Sequence, residues 1–153
     1  MKATATKSEI EKFKLKKNDV IITRDSETAQ DITIPCYVAE DVDEIVCGYH
    51  LALIRPRPKK INGPFLSFLL MTDQTHHQFV RIANGVTRFG LTNESVTQIK
   101  VRIPSIKEQR CISEILSTAD EEIEALQNKL SALEKQKRGL MQKLLTGEVR
   151  VKP

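Results

Sequence analysis

"ISEILSTADEEIEALQNKLSALEKQKRGLMQKL" occupies residues 112–144. Alternate steps of four and three from Ile112 land on Leu116, Ala119, Ile123, Leu126, Leu130, Leu133, Lys137, Leu140 and Leu144, and nine of these ten positions are apolar. A sustained seven-residue repeat puts them along one seam of an α-helix, the pattern of a coiled coil. Upstream, Ser105-x-x-Glu108 follows Pro104 and has the form of a capping box, in which serine and glutamate satisfy amides the first turn leaves open. Only Gly139 interrupts the run, at a cost of roughly 1 kcal/mol relative to alanine. Gly147 is placed to end it. The pattern predicts a helix from about Glu108 to Thr146, ~58 Å long at ~1.5 Å per residue.

So long a seam needs a cover. The residues before Pro104 suffice for one small domain, too narrow to bury it end to end, so a partner helix is expected. Charge suggests the orientation. From Glu108 to Gln127 there are six acids (Glu108, Glu114, Asp120, Glu121, Glu122, Glu124) against one base, Arg110. From Asn128 to Thr146 there are five bases (Lys129, Lys135, Lys137, Arg138, Lys143) against one acid, Glu134. Two antiparallel copies would set each acidic half against the other's basic half, whereas parallel copies would repel. The same polarity also suits the macrodipole of a single helix.

Outward from the helix, the chain reads as a mixed domain. "SEIEKFKLKK" (residues 8–17) is a short polar helix or extended lead-in. "VIITR" reads as a buried strand and residues 34–38 as a second, with Pro35 arguing against a central position. "EIVCGYHLALIRP" (residues 44–56) supplies a third strand, ended by Pro56 and Pro58. "GPFLSFLLMTDQTHHQFVRI" suits one or two helices with Pro64 early. "NGVTRFGL" is a glycine-bracketed loop, followed by a short helix or turn and a strand at residues 99–103.

Composition bounds the class. The chain has 153 residues, 40% hydrophobic and 29% charged, as expected of a globular protein with a real core. A net charge of +4 permits nucleic acid as a partner without requiring it. Cys36, Cys47 and Cys111 lack the spacing of a zinc site or disulfide framework, and reduced, partly buried thiols are expected. No signal-peptide pattern or membrane-length apolar run is present, so the expected location is cytoplasmic, with no membrane partner. The sequon at Asn93 carries no meaning without secretion.

"RIPSIKEQRCISEILSTADEEIEALQNKLSALEKQKRGLMQKLLTGEVRV" strongly resembles the end of specificity (S) subunits of type I restriction–modification systems. There a proline-terminated strand leads through Pro-x-x-x-Glu-Gln-Arg into a long helix, and the helix closes with Lys-x-Gly-Leu-x-Gln-x-Leu-Leu-Thr-Gly-x-Val-Arg, here Lys137 to Arg150. "LKKNDVIITRDSE", "VCGYHLALIRP" and "GVTRFGLTNESVTQIKVRIP" look like the second part of a target-recognition domain and its exit strand. The resemblance implies a DNA reader without catalytic activity and without cofactors. In that family two recognition domains are held apart by two antiparallel helices, which also dock methyltransferase (M) subunits, with restriction (R) subunits joining the complex.

The expected fold class is α+β: a partial recognition domain at 1–104, a long helix at 105–147 that dimerises as an antiparallel homodimer, and a tail at 148–153. With one recognition domain and one helix the chain is expected to be a half-subunit, and because the family's opening, with its early tryptophan-containing strand, has no counterpart here, that domain is expected to be partial. The competing expectation is a scaffold that self-associates or captures M subunits without competent recognition.

Candidate DNA contacts are Arg24, the "RPRPKK" row (Arg55, Arg57, Lys59, Lys60), Arg81, and Thr87-Arg88 in the glycine-flanked loop, since phosphates call for loop cations and base edges for arginine or amides. The bland alternatives are a solvated loop for "RPRPKK" and an arginine paired with a nearby acid for Arg88. Asp25 and Glu27 repel phosphate, so "RDSE" is structural or sets specificity. His76-His77 lacks a third metal ligand. No P-loop, HExxH or comparable catalytic motif is present. The Glu108-Gln109-Arg110 trio is expected to fix the start of the helix.

Overall fold

The computed structural model describes residues 4–43 and 45–152. Packing divides the chain into two compact units, Met1–Ser113 and Glu114–Pro153, so the long helix begins inside the first unit and continues as the second.

The first unit is α+β. Helix α1 (Lys7–Phe13) opens with a capping box in which Thr6 and Glu9 satisfy each other's amides. Strands β1 (Val20–Thr23), β3 (Pro35–Tyr37) and β4 (Leu51–Ile54) form an antiparallel sheet in the order β3-β1-β4. Val20 pairs with Tyr37 on one side and Ile54 on the other; Ile22 pairs with Pro35 and Ala52. Pro35 therefore lies on an edge strand, where its missing N–H costs no ladder bond. The period of two in β1 sends Val20 and Ile22 into the core, which they share with Ile32, Leu66, Leu70, Phe79 and Leu91.

Two helices rather than one cover that face: α2 (Gly63–Met71) and α3 (Asp73–Ile82). Asn62 caps α2 by accepting from Phe65 N at 3.0 Å, and Pro64 occupies its first turn. Gly63 is there because a Cβ would lie 2.6 Å from the Asn18 carbonyl oxygen. A second, two-stranded ladder joins β2 (Asp25–Ser26) to β5 (Phe89–Gly90), and the short helix α4 (Asn93–Val96) follows.

Helix α5 runs from Ile106 to Leu145. Ser105 Oγ accepts from Glu108 N at 3.3 Å. The end is closed by Gly147 at φ 76°, with the carbonyls of Leu144 and Lys143 accepting from Gly147 N and Val149 N. Within the first unit the anchor is Gln109, which is fully buried. Its Oε1 accepts from Asn62 N at 2.9 Å, and its Nε2 donates to the carbonyls of Lys60 (3.0 Å) and Pro104 (2.9 Å). One turn later Ser113 Oγ lies 3.1 Å from Asn62 Oδ1. Glu108 and Arg110 are exposed, so of the expected trio the glutamine does the fixing.

Three expectations are corrected. Residues 99–103 form no strand: no ladder among the described residues includes them, and the Lys100 backbone N–H and C=O are taken instead by the Gln78 side chain. The third strand is only Leu51–Ile54: a turn at Gly48–His50, closed by Leu51 N to Gly48 O at 3.1 Å, cuts it short. Upstream of the turn Val46 pairs instead with Lys14 as an isolated bridge; Glu44 lies outside the described residues, as do 1–3 and 153. The three cysteines are free, but Cys36 and Cys111 are exposed and only Cys47 is partly buried.

Candidate nucleic-acid interface and helix seam

The backbone brings three segments of the first unit to one point. Arg24, at the end of β1, donates its N–H to the His50 carbonyl at 3.0 Å, and its own carbonyl accepts from Leu91 N at 3.0 Å. The segment before β4 and the end of the 84–90 loop are thereby held on either side of Arg24-Asp25. That loop is closed by a reciprocal pair, Asn84 N to Gly90 O (3.1 Å) and Gly90 N to Asn84 O (2.9 Å). Gly85, at φ 150°, allows the tight return, since a Cβ there would sit 1.8 Å from the Arg88 carbonyl oxygen. The loop lifts Val86 and Thr87 into solvent.

The side chains complete the cluster. Asp25 Oδ1 accepts from Arg88 Nε at 3.1 Å and Nη2 at 2.7 Å, and lies 2.8 Å from His50 Nδ1. Burial works to raise the Asp25 carboxyl, but the hydrogen bonds and charge of Arg88 and His50 outweigh it, and the net shift is downward. Arg24 Nε donates to the Leu91 carbonyl at 3.3 Å. Tyr49 meets His50 edge-on, with ring centroids 5.0 Å apart, and is 85% exposed. Arg24, Asp25, Tyr49, Asn84, Gly90, Leu91 and Thr92 line a shallow cleft of about 350 Å³.

The sequence candidates thus separate. Arg24, Thr87 and Arg88 lie at this cluster. Arg55 is held elsewhere: its Nε and Nη2 donate to Asp19 Oδ1 and Oδ2 at 2.9 and 2.8 Å, and Nη2 also reaches the Lys14 carbonyl. Asp19 is buried, and although burial raises its carboxyl, bonds from Arg55 and the Lys16 amide pull it below the usual range. Arg55 therefore neutralises a buried acid while its own side chain stays 41% exposed. Arg57, Lys59 and Lys60 are exposed on the turn before α2, and Arg81 is exposed in the last turn of α3. No hydrogen bond among the described residues joins these four side chains to the Asp25 cluster. His76 and His77 are neighbours on α3, and no group of three or more metal-ligating side chains converges among the described residues.

Tyr49 and His50 are not marked as site residues in the sequence, where "CGYHLAL" reads wholly as a strand. The glycine before them, marking a turn, was the available signal.

On α5, Leu116, Ile123, Leu126, Leu130, Leu133, Leu140 and Leu144 are between 39% and 59% exposed. Ile112 is half-buried within the first unit, and Ala119 is exposed. Ile115, Met141 and Leu145 widen the apolar surface beyond the seam, and Leu133, Leu140, Met141, Leu144 and Leu145 line a shallow apolar depression near the C-terminal end. No helix among the described residues is long and apolar enough to cross a membrane.

The family model described as the type I restriction modification DNA specificity domain matches residues 4–135. The chain belongs to that family. It is 28% identical over 116 residues to the type I restriction enzyme MjaVIII specificity subunit of Methanocaldococcus jannaschii, a match covering 75% of this chain and 27% of that protein. Its fold is similar to that of the HsdS subunit from Thermoanaerobacter tengcongensis, with TM-score 0.60 and 20% identity over 91% of this chain and 36% of that one. It is also similar to the type I restriction–modification S subunit from M. genitalium, with TM-score 0.59 and 19% identity over 87% and 34%. The chain thus spans about a quarter of the curated relative's length. The likeness covers about nine-tenths of this chain, which is α+β with a long C-terminal helix.

Proposed function

We propose that the chain is a non-enzymatic DNA-specificity module of a type I restriction–modification system, working in the cytoplasm. The first unit binds duplex DNA, with the Arg24–His50–Arg88 face reading bases and the exposed cations Arg57, Lys59, Lys60 and Arg81 meeting phosphates. The seam of α5 pairs antiparallel with a second copy and docks M subunits, through which R subunits join. The observation that carries this reading is a row of seven exposed leucine and isoleucine side chains along a 40-residue helix in a chain of the specificity family. Apolar area of that extent in water favours association, at ~25 cal/mol per Å² removed from solvent.

A second reading has its own support: Arg55 and Arg88 are both engaged by acids, which leaves less free charge for a phosphate backbone. In that reading the chain self-associates or captures M subunits without competent recognition. Two measurements separate them. Sedimentation of the pure chain gives a dimer mass at micromolar concentration, whereas a strict monomer sinks the homodimer. Random duplexes bind at low salt in the presence of M subunit if the chain reads DNA; no binding leaves only the interaction role.

A further inference from the structure

Asp25, His50 and Arg88 come from β2, the turn before β4 and the 84–90 loop, and they meet on a single carboxylate oxygen. The consequence lies in which donors Arg88 has left. A guanidinium carries five N–H groups in a fixed plane. Asp25 takes Nε–H and the Nη2–H on the same side, and His50 Nδ1 stands 3.0 Å from Nη2. His50 Nδ1 cannot both donate to Asp25 and accept from Nη2; in the tautomer that carries the proton on Nδ1 it donates to the carboxylate, which leaves the end-on edge, one N–H from Nη1 beside one from Nη2, open. The Arg88 side chain is 56% exposed while Asp25 is only 21% exposed, so the pairing is on the inner side.

A phosphate and a guanine both accept two parallel N–H bonds, but they answer to different things. Phosphate affinity follows net positive charge, which the Asp25 carboxylate 2.7 Å away largely cancels. A base edge needs donors at fixed positions, and those survive intact. The carboxylate also holds the arginine in one orientation, so less side-chain entropy is lost on contact. Its neighbours suit a groove rather than a strand backbone: Tyr49 and Val86 are almost fully exposed, and Asn84 carries an amide.

We propose that Arg88, held by Asp25 and His50, reads a guanine through O6 and N7 in the major groove of the target duplex. Arg88 is the specificity-determining residue; Asp25 and His50 position it. The assignment rests on the DNA-reading function proposed above, and the test separates the two. Duplexes are selected from a randomised library by the full chain assembled with M subunit, and the selection is repeated with Arg88→Ala, Arg88→Lys and Asp25→Asn. Wild type enriches a motif containing a guanine at one position, and substituting that base weakens binding by about 5- to 150-fold. Arg88→Ala binds both bases alike, and Arg88→Lys fails to restore the preference because an ammonium is not a planar fork. Asp25→Asn weakens discrimination while raising affinity for unrelated duplexes, an effect that a merely structural role would not produce. An unchanged motif in Arg88→Ala overturns the assignment, as does uniform weakening across all sequences with a shallower salt dependence, the signature of a phosphate contact. A wild-type complex that enriches no motif overturns the DNA-reading function itself.

Discussion

Replacing Gln109 with leucine keeps most of the side-chain volume and removes every hydrogen bond of its amide. Asn62 N–H loses its acceptor, and the carbonyls of Lys60 and Pro104 lose their donors, all around a side chain fully shielded from solvent. A buried polar group left unpaired costs ~1–3 kcal/mol. With the N–H near the top of that range and the two carbonyls near the bottom, the loss is roughly 3–5 kcal/mol. Small domains hold only ~5–15 kcal/mol in total, and for a domain of this size ~1 kcal/mol moves Tm by about 4–8 °C. Equilibrium urea unfolding followed by tyrosine fluorescence suits the assay, because the chain has two tyrosines, Tyr37 and Tyr49, both in the first unit, and no tryptophan. The midpoint should fall steeply with little change in slope. A variant within ~1 kcal/mol of wild type would refute the view that the glutamine amide is what ties the 60–62 segment to the start of the helix.

Three other variants probe separate parts of the molecule. Leu126→Asp with Leu130→Asp places charges in the middle of the seam, where burial would cost several kcal/mol. Sedimentation should then give a monomer with tyrosine-monitored unfolding unchanged, and an unaltered dimer mass would place the interface elsewhere. Arg55→Ala strands the buried Asp19 carboxylate, costing about 2–3 kcal/mol at pH 7 once the partial exposure of the arginine is allowed for. In wild type the lowered Asp19 pKa means stability present above about pH 4 and lost as pH falls through the lowered value. Without Arg55 only Lys16 still opposes the upward push of burial, so that pKa rises, and urea midpoints of variant and wild type should converge as pH drops below about 4; a constant gap would exclude Asp19 as the cause. Gly85→Ala forces a Cβ against the Arg88 carbonyl oxygen and should cost roughly 1–3 kcal/mol in thermal unfolding, whereas a neutral result would mean the loop relaxes without strain.

The parts of this structure set by local chemistry were readable in the sequence. The heptad leucines, the Ser105 cap and Gly147 delimit α5 to within a residue or two, and the alternation of Val20 and Ile22 announces a strand with one buried face. What required tertiary contact was not readable. No pattern distinguishes Arg55, which faces the buried Asp19 from 36 positions away, from Arg57, which faces water. Nor does "VTRFG" reveal that Arg88 will find Asp25 63 residues earlier in the chain. The absent strand at 99–103 shows the converse: β-branched residues favour a strand only where a neighbour offers its backbone.

The central claim is that this chain supplies DNA recognition to a restriction–modification assembly. It is tested most directly by measuring affinity for duplex DNA as a function of salt, with M subunit present, for wild type and for Arg57→Ala/Lys59→Ala/Lys60→Ala. Each phosphate neutralised contributes ~0.9 to the slope of log affinity against log salt. A DNA-specificity module gives a clear negative slope that becomes shallower by up to about 3 in the triple variant. No binding by wild type even at low salt would contradict the claim.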